Sequence, residues 1–170
     1  MVSLRSYTAL AGYNAWANLR LYDAAARLDD GAYRAGRGAF FGSVHGTLNH
    51  LLVTDRIWMD RFTLSGAPQP ALDTILFSTL ADLRTARVEE DARIATYVAG
   101  LTPAALEADI SYANSSGRRF AQTLTSALDH LFNHQTHHRG QVHCLLTMIG
   151  GREAAPSLDL IAYQRELPAD

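Results

Sequence analysis

Seven histidines stand in the 170-residue chain, and five of them fall between His130 and His143. Two of these, His134 and His138, are spaced i, i+4. At about 100° per residue of an α-helix they lie roughly 40° apart in direction and one turn apart in height. Both imidazoles can then reach one point at about 2.0–2.1 Å, the length of a bond from nitrogen to zinc, without bending the helix. Two imidazoles alone hold a metal weakly, so a third ligand is expected from a facing helix. His45 and His50 are the candidates there. They are five residues apart and point in different directions, and the broad apolar arc around them does not choose between them.

The elements that must position these rings are legible from apolar spacing. From Ser3 to Leu28, Leu4, Tyr7, Leu10, Ala11, Tyr13, Ala17, Leu21 and Ala25 recur at three- and four-residue intervals and read as a first long helix. Asp29-Asp30-Gly31 and Gly36-Arg37-Gly38 break it, leaving a loop with room for a short turn of helix. Ser43 reads as the N-cap of a second helix running to about Leu64, ended by Ser65-Gly66-Ala67-Pro68. Ser78 or Thr79 opens a third, which stops before Gly100 and Pro103. Between Glu107 and Gln122, Ile110, Tyr112 and Phe120 around Asn114-Ser115-Ser116-Gly117 suggest a short β-hairpin. A fourth long helix follows from about Thr123 to Ile149, and Pro156–Ile161 reads as a last short helix folded back on the rest. The expectation is an all-α fold, a four-helix bundle in one domain over residues 1–170.

On the fourth helix, Leu124, Ala127, Leu131, Val142, Leu145 and Ile149 share a side with His134 and His138, which therefore point into the core. His137 and His143 fall outside that arc and His130 at its edge; with His45 they read as surface or structural residues. Trp16 and Trp58 read as core or pocket-wall residues, Asn14 and Asn18 as donors beside the site or as solvated helix residues, and Arg139 as the partner of a nearby acid. Gly46 and Gly140 lie inside helices, where close packing is the usual reason for a glycine that costs about 1 kcal/mol against Ala.

Two stretches resemble the DinB/YfiT-like metalloprotein family. Ser43-Val44-His45-Gly46-Thr47-Leu48-Asn49-His50-Leu51-Leu52, with Trp58 eight residues after His50, is similar to the family's second-helix motif. Leu131-Phe132-Asn133-His134-Gln135-Thr136-His137-His138-Arg139-Gly140-Gln141 closely resembles its fourth-helix motif. Tyr13-Asn14-Ala15-Trp16-Ala17-Asn18 and Pro156-Ser157-Leu158-Asp159 fit as well, so the resemblance covers nearly the whole chain. It implies an up-down-down-up bundle whose metal ligands are His50, His134 and His138, with His45 a frequent companion not carried over as a ligand. The expected cofactor is one divalent transition metal, nickel or zinc by the resemblance. Imidazoles suit iron and copper also.

Three neutral histidines leave such a metal its full charge and an open position, the pattern of catalytic sites. It could bring the pKa of a bound water toward about 7 or hold a thiol as its thiolate. No acid lies one turn from His134 or His138 on their face, Asp129 pointing away, and there is no His-Glu-x-x-His arrangement. That favours thiolate chemistry, and the resemblance agrees: characterised relatives include bacillithiol transferases and mycothiol-dependent isomerases. The leading expectation is a metal-dependent transferase that activates a low-molecular-weight thiol for addition to an electrophile. The alternatives are a metal-dependent hydrolase of a small ester or amide, and a non-enzymatic metal-binding stress-response module.

Composition narrows the partners. A net charge of −2, with no cluster of basic residues, gives no reason to expect nucleic acid or an anionic membrane. The single cysteine, Cys144, excludes an intrachain disulfide or a thiolate-rich metal site. Met-Val-Ser-Leu-Arg-Ser-Tyr lacks the apolar region of a signal peptide, and no apolar run nears the roughly 20 residues that span a bilayer, so a cytoplasmic location is expected. Wide apolar arcs, and relatives that are often dimers, point to a homodimer through helix faces.

Overall fold

Side-chain caps set most helix starts in the computed structural model, which describes residues 4–114 and 116–167, the side chain of Arg5 excepted. The first helix, α1 (Leu4–Ala25), unwinds through Ala26–Leu28. The Asp29 carboxylate then accepts the Ala32 N–H at 2.8 Å and opens the short α2 (Asp30–Arg34). Ser43 caps α3 (Val44–Thr63) by accepting the Gly46 N–H at 3.1 Å. Thr79, Thr102 and Thr123 do the same for α4 (Leu80–Ala99), α5 (Pro103–Glu107) and α6 (Leu124–Gly150), each accepting a backbone N–H three residues on. The short α5 falls in a stretch whose sequence reads only as a connection.

The hairpin before α6 forms as its pattern predicts. β1 (Asp109–Ala113) pairs antiparallel with β2 (Arg119–Thr123), with Tyr112 opposite Phe120. Ser115 in its turn and Ser3, the expected start of the first helix, lie outside the described residues. After a 3-10 turn at Arg152–Ala154, the last helix, α7 (Leu160–Glu166), starts later than the Pro156–Ile161 pattern suggests. The Leu158 carbonyl is held instead by the Tyr13 hydroxyl at 2.6 Å, which keeps that stretch extended along α1. Among the described residues the chain is thus mostly helical, with seven α-helices and one two-stranded antiparallel sheet. No helix there is long and apolar enough to cross a membrane.

The long helices pack in a closed circuit: α1 lies against α4 and α6, and α3 against the same two. Their apolar residues form two clusters. One holds Leu21, Leu48, Leu52, Leu83, Val142 and Leu146; the other holds Tyr7, Met59, Ile94, Leu128 and Leu131. Along α1 and α6 the chain meets the Tyr7 cluster first, and along α3 and α4 it meets the Leu21 cluster first.

Polar residues occupy the stretch of each helix between the two clusters. Asp55, fully buried, accepts from Arg87 Nη1 at 2.7 Å and from the Gln135 amide. Asp91 lies 3.0 Å from Arg87 Nη2 and accepts from Asn14 Nδ2 at 2.9 Å and Asn18 Nδ2 at 3.0 Å. Arg139 donates to Asn14 Oδ1 and lies over the Tyr13 ring. Two sequence expectations are corrected here. Asn14 and Asn18 are neither solvated nor beside the histidines but hold Asp91, and Arg139 pairs with no acid among the described residues. Two buried Arg and two buried Asp balance in charge, which is how such groups survive where water is excluded.

Candidate metal centre

His50 sits on the inward face of α3, and His134 and His138 stand one turn apart on α6, directly across from it. His50 Nε2 lies 3.4 Å from His134 Nε2 and 3.3 Å from His138 Nε2. Among the described residues this is the one group of three His, Cys, Asp or Glu whose ligand atoms all fall within 4.8 Å of one another. The structure therefore brings together the three residues singled out by the sequence motifs.

The rings' outer nitrogens decide what their inner ones can do. His50 Nδ1 is 2.8 Å from the Leu72 carbonyl, which can only accept, so the proton of the neutral ring is on Nδ1. His138 Nδ1 is 2.8 Å from Gln141 Oε1, which fixes its tautomer the same way, while the Gln141 amide turns its Nε2 toward His137 Nε2 at 3.2 Å. Burial pushes the His50 ring down to about 4 and His134 to about 3, the neighbouring imidazoles adding to the effect, and burial lowers His138 too. All three are neutral near pH 7. His50 and His138 thus face each other with Nε2 lone pairs at 3.3 Å and no proton between them, an arrangement that calls for an electron-pair acceptor. Tetrahedral ligands at about 2.0–2.1 Å from a metal are about 3.3–3.4 Å apart, which matches both distances from His50. The donors present fit a divalent transition metal. His134 Nδ1 is buried without a partner.

Phe41, on the loop after α2, stacks on the His50 ring at 3.6 Å between centroids and meets His138 edge-on. Its carbonyl occupies the space where a side chain at Gly46 would project, a Cβ there falling 2.1 Å from the Phe41 oxygen. Close packing does explain Gly46, but against a loop and not a helix. Gly140 meets nothing within 4 Å, so the same expectation is overturned there. His45 is buried but turned away, its Nδ1 3.2 Å from Arg34 Nη1 and its Nε2 3.0 Å from the Phe77 carbonyl. Asp129 does point away from the histidines and accepts the Tyr7 hydroxyl at 2.7 Å.

On the other side a pocket of about 410 Å³ opens onto His50 and His134, walled by Trp58, Arg61, Leu72 and His130. No carboxylate lines it among the described residues. His130 is exposed, as its surface reading expects, but it also forms a wall of this pocket, its ring 5.0 Å from Trp58. Sequence reasoning missed that role, together with those of Gln141, Phe41 and the Leu72 carbonyl. The i, i+3 spacing from His138 to Gln141 was a readable signal; the other two come from loops without a pattern.

A largely helical chain in which two buried histidines and a half-buried one form a group that could hold a metal ion belongs among candidate metalloproteins. A family model described as DinB family matches residues 3–166, and the chain belongs to that family. Among curated proteins no match was found.

Proposed function

We propose that this protein is a metal-dependent transferase that uses a divalent transition metal, zinc or nickel, to activate a small thiol for addition to an electrophile. The observation that carries the proposal is the pair of unprotonated Nε2 atoms held face to face, with the third imidazole beside them and a pocket opening on the group. Bound by His50, His134 and His138, the metal would supply Lewis acidity, lowering the pKa of a thiol that reaches it.

The chain's own residues do the remainder. The Leu72 carbonyl and Gln141 hold two of the rings in the ligating tautomer. Phe41 covers the far side and leaves the pocket as the way in. His130, kept neutral by burial and by the charge of Arg61, is placed to take the thiol proton on a ring nitrogen. The sulfur lone pair then forms the new carbon–sulfur bond as the electrophile either opens a π bond, whose electron pair takes the proton back from His130, or releases a leaving group such as chloride with its electron pair. The lack of a carboxylate in the pocket favours this reading over ester or amide hydrolysis, which normally needs such a base.

The architecture belongs to the same proposal. The closed packing circuit and the opposite order in which α1/α6 and α3/α4 meet the two apolar clusters support one four-helix-bundle domain with up-down-down-up direction. A homodimer is also part of it, supported by Leu19 and Val88, which are exposed beside an apolar groove of about 380 Å³ between α1 and α4. Its mass by light scattering tests it, and a monomer removes it.

The test of the activity is a screen of zinc- and nickel-loaded protein with bacillithiol, mycothiol and glutathione against monochlorobimane and other model electrophiles. Elemental analysis of protein purified without a nickel column identifies the metal. Metal-dependent turnover that disappears in His138→Ala is the expected result. Activity no greater than that of the variant overturns the proposal, and thiol-independent cleavage of an ester would replace it with the hydrolase.

A further inference from the structure

Arg61 is a cation with no counter-ion inside the candidate pocket among the described residues. It follows His50 by eleven residues, about three turns of α3, so both side chains project toward the same side, their Cα atoms about 16 Å apart along the axis. Its guanidinium lies over the Trp58 ring at 4.6 Å and over the Tyr112 ring, from β1, at 4.4 Å. Both rings also pack on each other, their centroids 5.2 Å apart and nearly perpendicular. The group is therefore held by aromatic contacts, with no hydrogen bond from the described residues fixing it.

None of its nitrogens meets a hydrogen-bond acceptor among the described residues, and Nε is buried without a partner. The nearest acid in sequence, Asp60, is taken by Arg93 at 2.9 Å. The pocket wall shared with His50 and His134 includes Arg61 and no carboxylate. Gln69, on the same wall, has a second buried polar atom, Oε1, without a partner.

A half-buried guanidinium without a counter-charge is costly unless something arrives to match it. With the two ring centroids 4.6 and 4.4 Å from the guanidinium carbon and 5.2 Å from each other, both rings lie to one side of it, which leaves an edge of terminal N–H groups on the other side for an incoming acceptor. That edge matches two oxygens of a planar carboxylate, which a lysine ammonium cannot match in the same way.

We infer that Arg61 is the specificity residue of this pocket and binds a carboxylate of the substrate, so that the protein acts on small carboxylate-bearing molecules whose reacting end lies at the three histidines. This deepens the proposed transferase and rests on it for the reaction. The recognition itself does not require the metal.

The experiment exploits that difference. Full-length protein, with Arg61→Met, Arg61→Lys and His138→Ala in parallel, is titrated calorimetrically with succinate, with succinamide as the neutral control. The Arg61 Nε–Hε resonance is followed in the wild type by ¹⁵N NMR. Succinate is expected to bind saturably and shift that resonance, while succinamide does neither. Arg61→Met and Arg61→Lys should weaken succinate binding by roughly tenfold to a hundredfold, the worth of a charge-assisted hydrogen-bond pair. His138→Ala should keep it. The inference is overturned if the Arg61 resonance does not move at saturating succinate. Equal binding by wild type and both Arg61 variants overturns it as well, as does binding lost in His138→Ala and kept in Arg61→Met. Because the resonance is read in the wild type, a variant that folds poorly leaves the test intact. Failure of the thiol screen with succinate binding intact would remove the transferase and leave the anion site.

Discussion

Replacing Arg87 by Met should destabilise the protein far more near neutral pH than in mild acid. Arg87 is 2% exposed and lies 2.7 Å from Asp55 and 3.0 Å from Asp91. Even with that partner, burial raises the Asp55 carboxyl from 3.8 to about 6. A carboxyl whose folded pKa is raised favours the protonated folded state, so its cost is absent below the unfolded pKa and grows as pH rises. At about pH 7.5 the wild type bears about 3 kcal/mol from this group, 1.36 kcal/mol for each pH unit between 3.8 and 6. Without Arg87 the acid would be driven to stay protonated, and the cost would follow the full interval from 3.8, about 5 kcal/mol. The variant therefore loses about 2 kcal/mol more than the wild type at about pH 7.5, and almost nothing from this source at about pH 5. Lost packing and hydrogen bonds add a pH-independent part, for a total of about 3–5 kcal/mol at the higher pH. Urea denaturation of both proteins at the two pH values measures the difference, and the histidines common to both cancel. A penalty that is equal at the two pH values, or under about 1 kcal/mol at both, would refute the reading of Asp55 as a carboxylate kept ionised by Arg87.

Other outcomes follow from the same geometry. Gly46→Ala should cost about 1–3 kcal/mol and lower metal affinity, because its Cβ would fall 2.1 Å from the Phe41 carbonyl and push Phe41 off His50. Gly140→Ala, which meets open space, should stabilise by up to about 1 kcal/mol, both glycine variants being compared with the wild type in thermal melts. Gln141→Ala should leave melting of the metal-free protein almost unchanged and reduce zinc affinity by roughly tenfold to a hundredfold in a chelator competition. In metal-free protein, unfolded His50 gains a proton below about pH 6.5 while folded His50 stays neutral down to about 4, so stability falls as pH falls through that window. Comparing wild type with His50→Gln by urea titration should show the wild type losing up to roughly 3 kcal/mol more across it.

Periodicity and capping carried much of this protein into view before any coordinates. The i, i+4 spacing of His134 and His138 is a property of one helix, so local geometry alone puts both rings on one side. Ser43, Thr79 and Thr123 mark helix starts for the same reason, since a cap and its N–H are three residues apart. What the helical wheel could not decide was His45 or His50. That choice depends on how α3 is rotated against α6, which is set by packing between segments more than 80 residues apart. The roles of Asn14, Asn18 and Arg139 depended on the same thing, because a buried polar side chain takes whichever partner the neighbouring helix offers. The Leu72 carbonyl on His50 and Phe41 across it come from loops, where backbone position follows no repeat. The sequence by itself determined the long helices and the paired imidazoles, and its motifs singled out His50; the tertiary structure decided how that third ring meets the pair and what lines the way in.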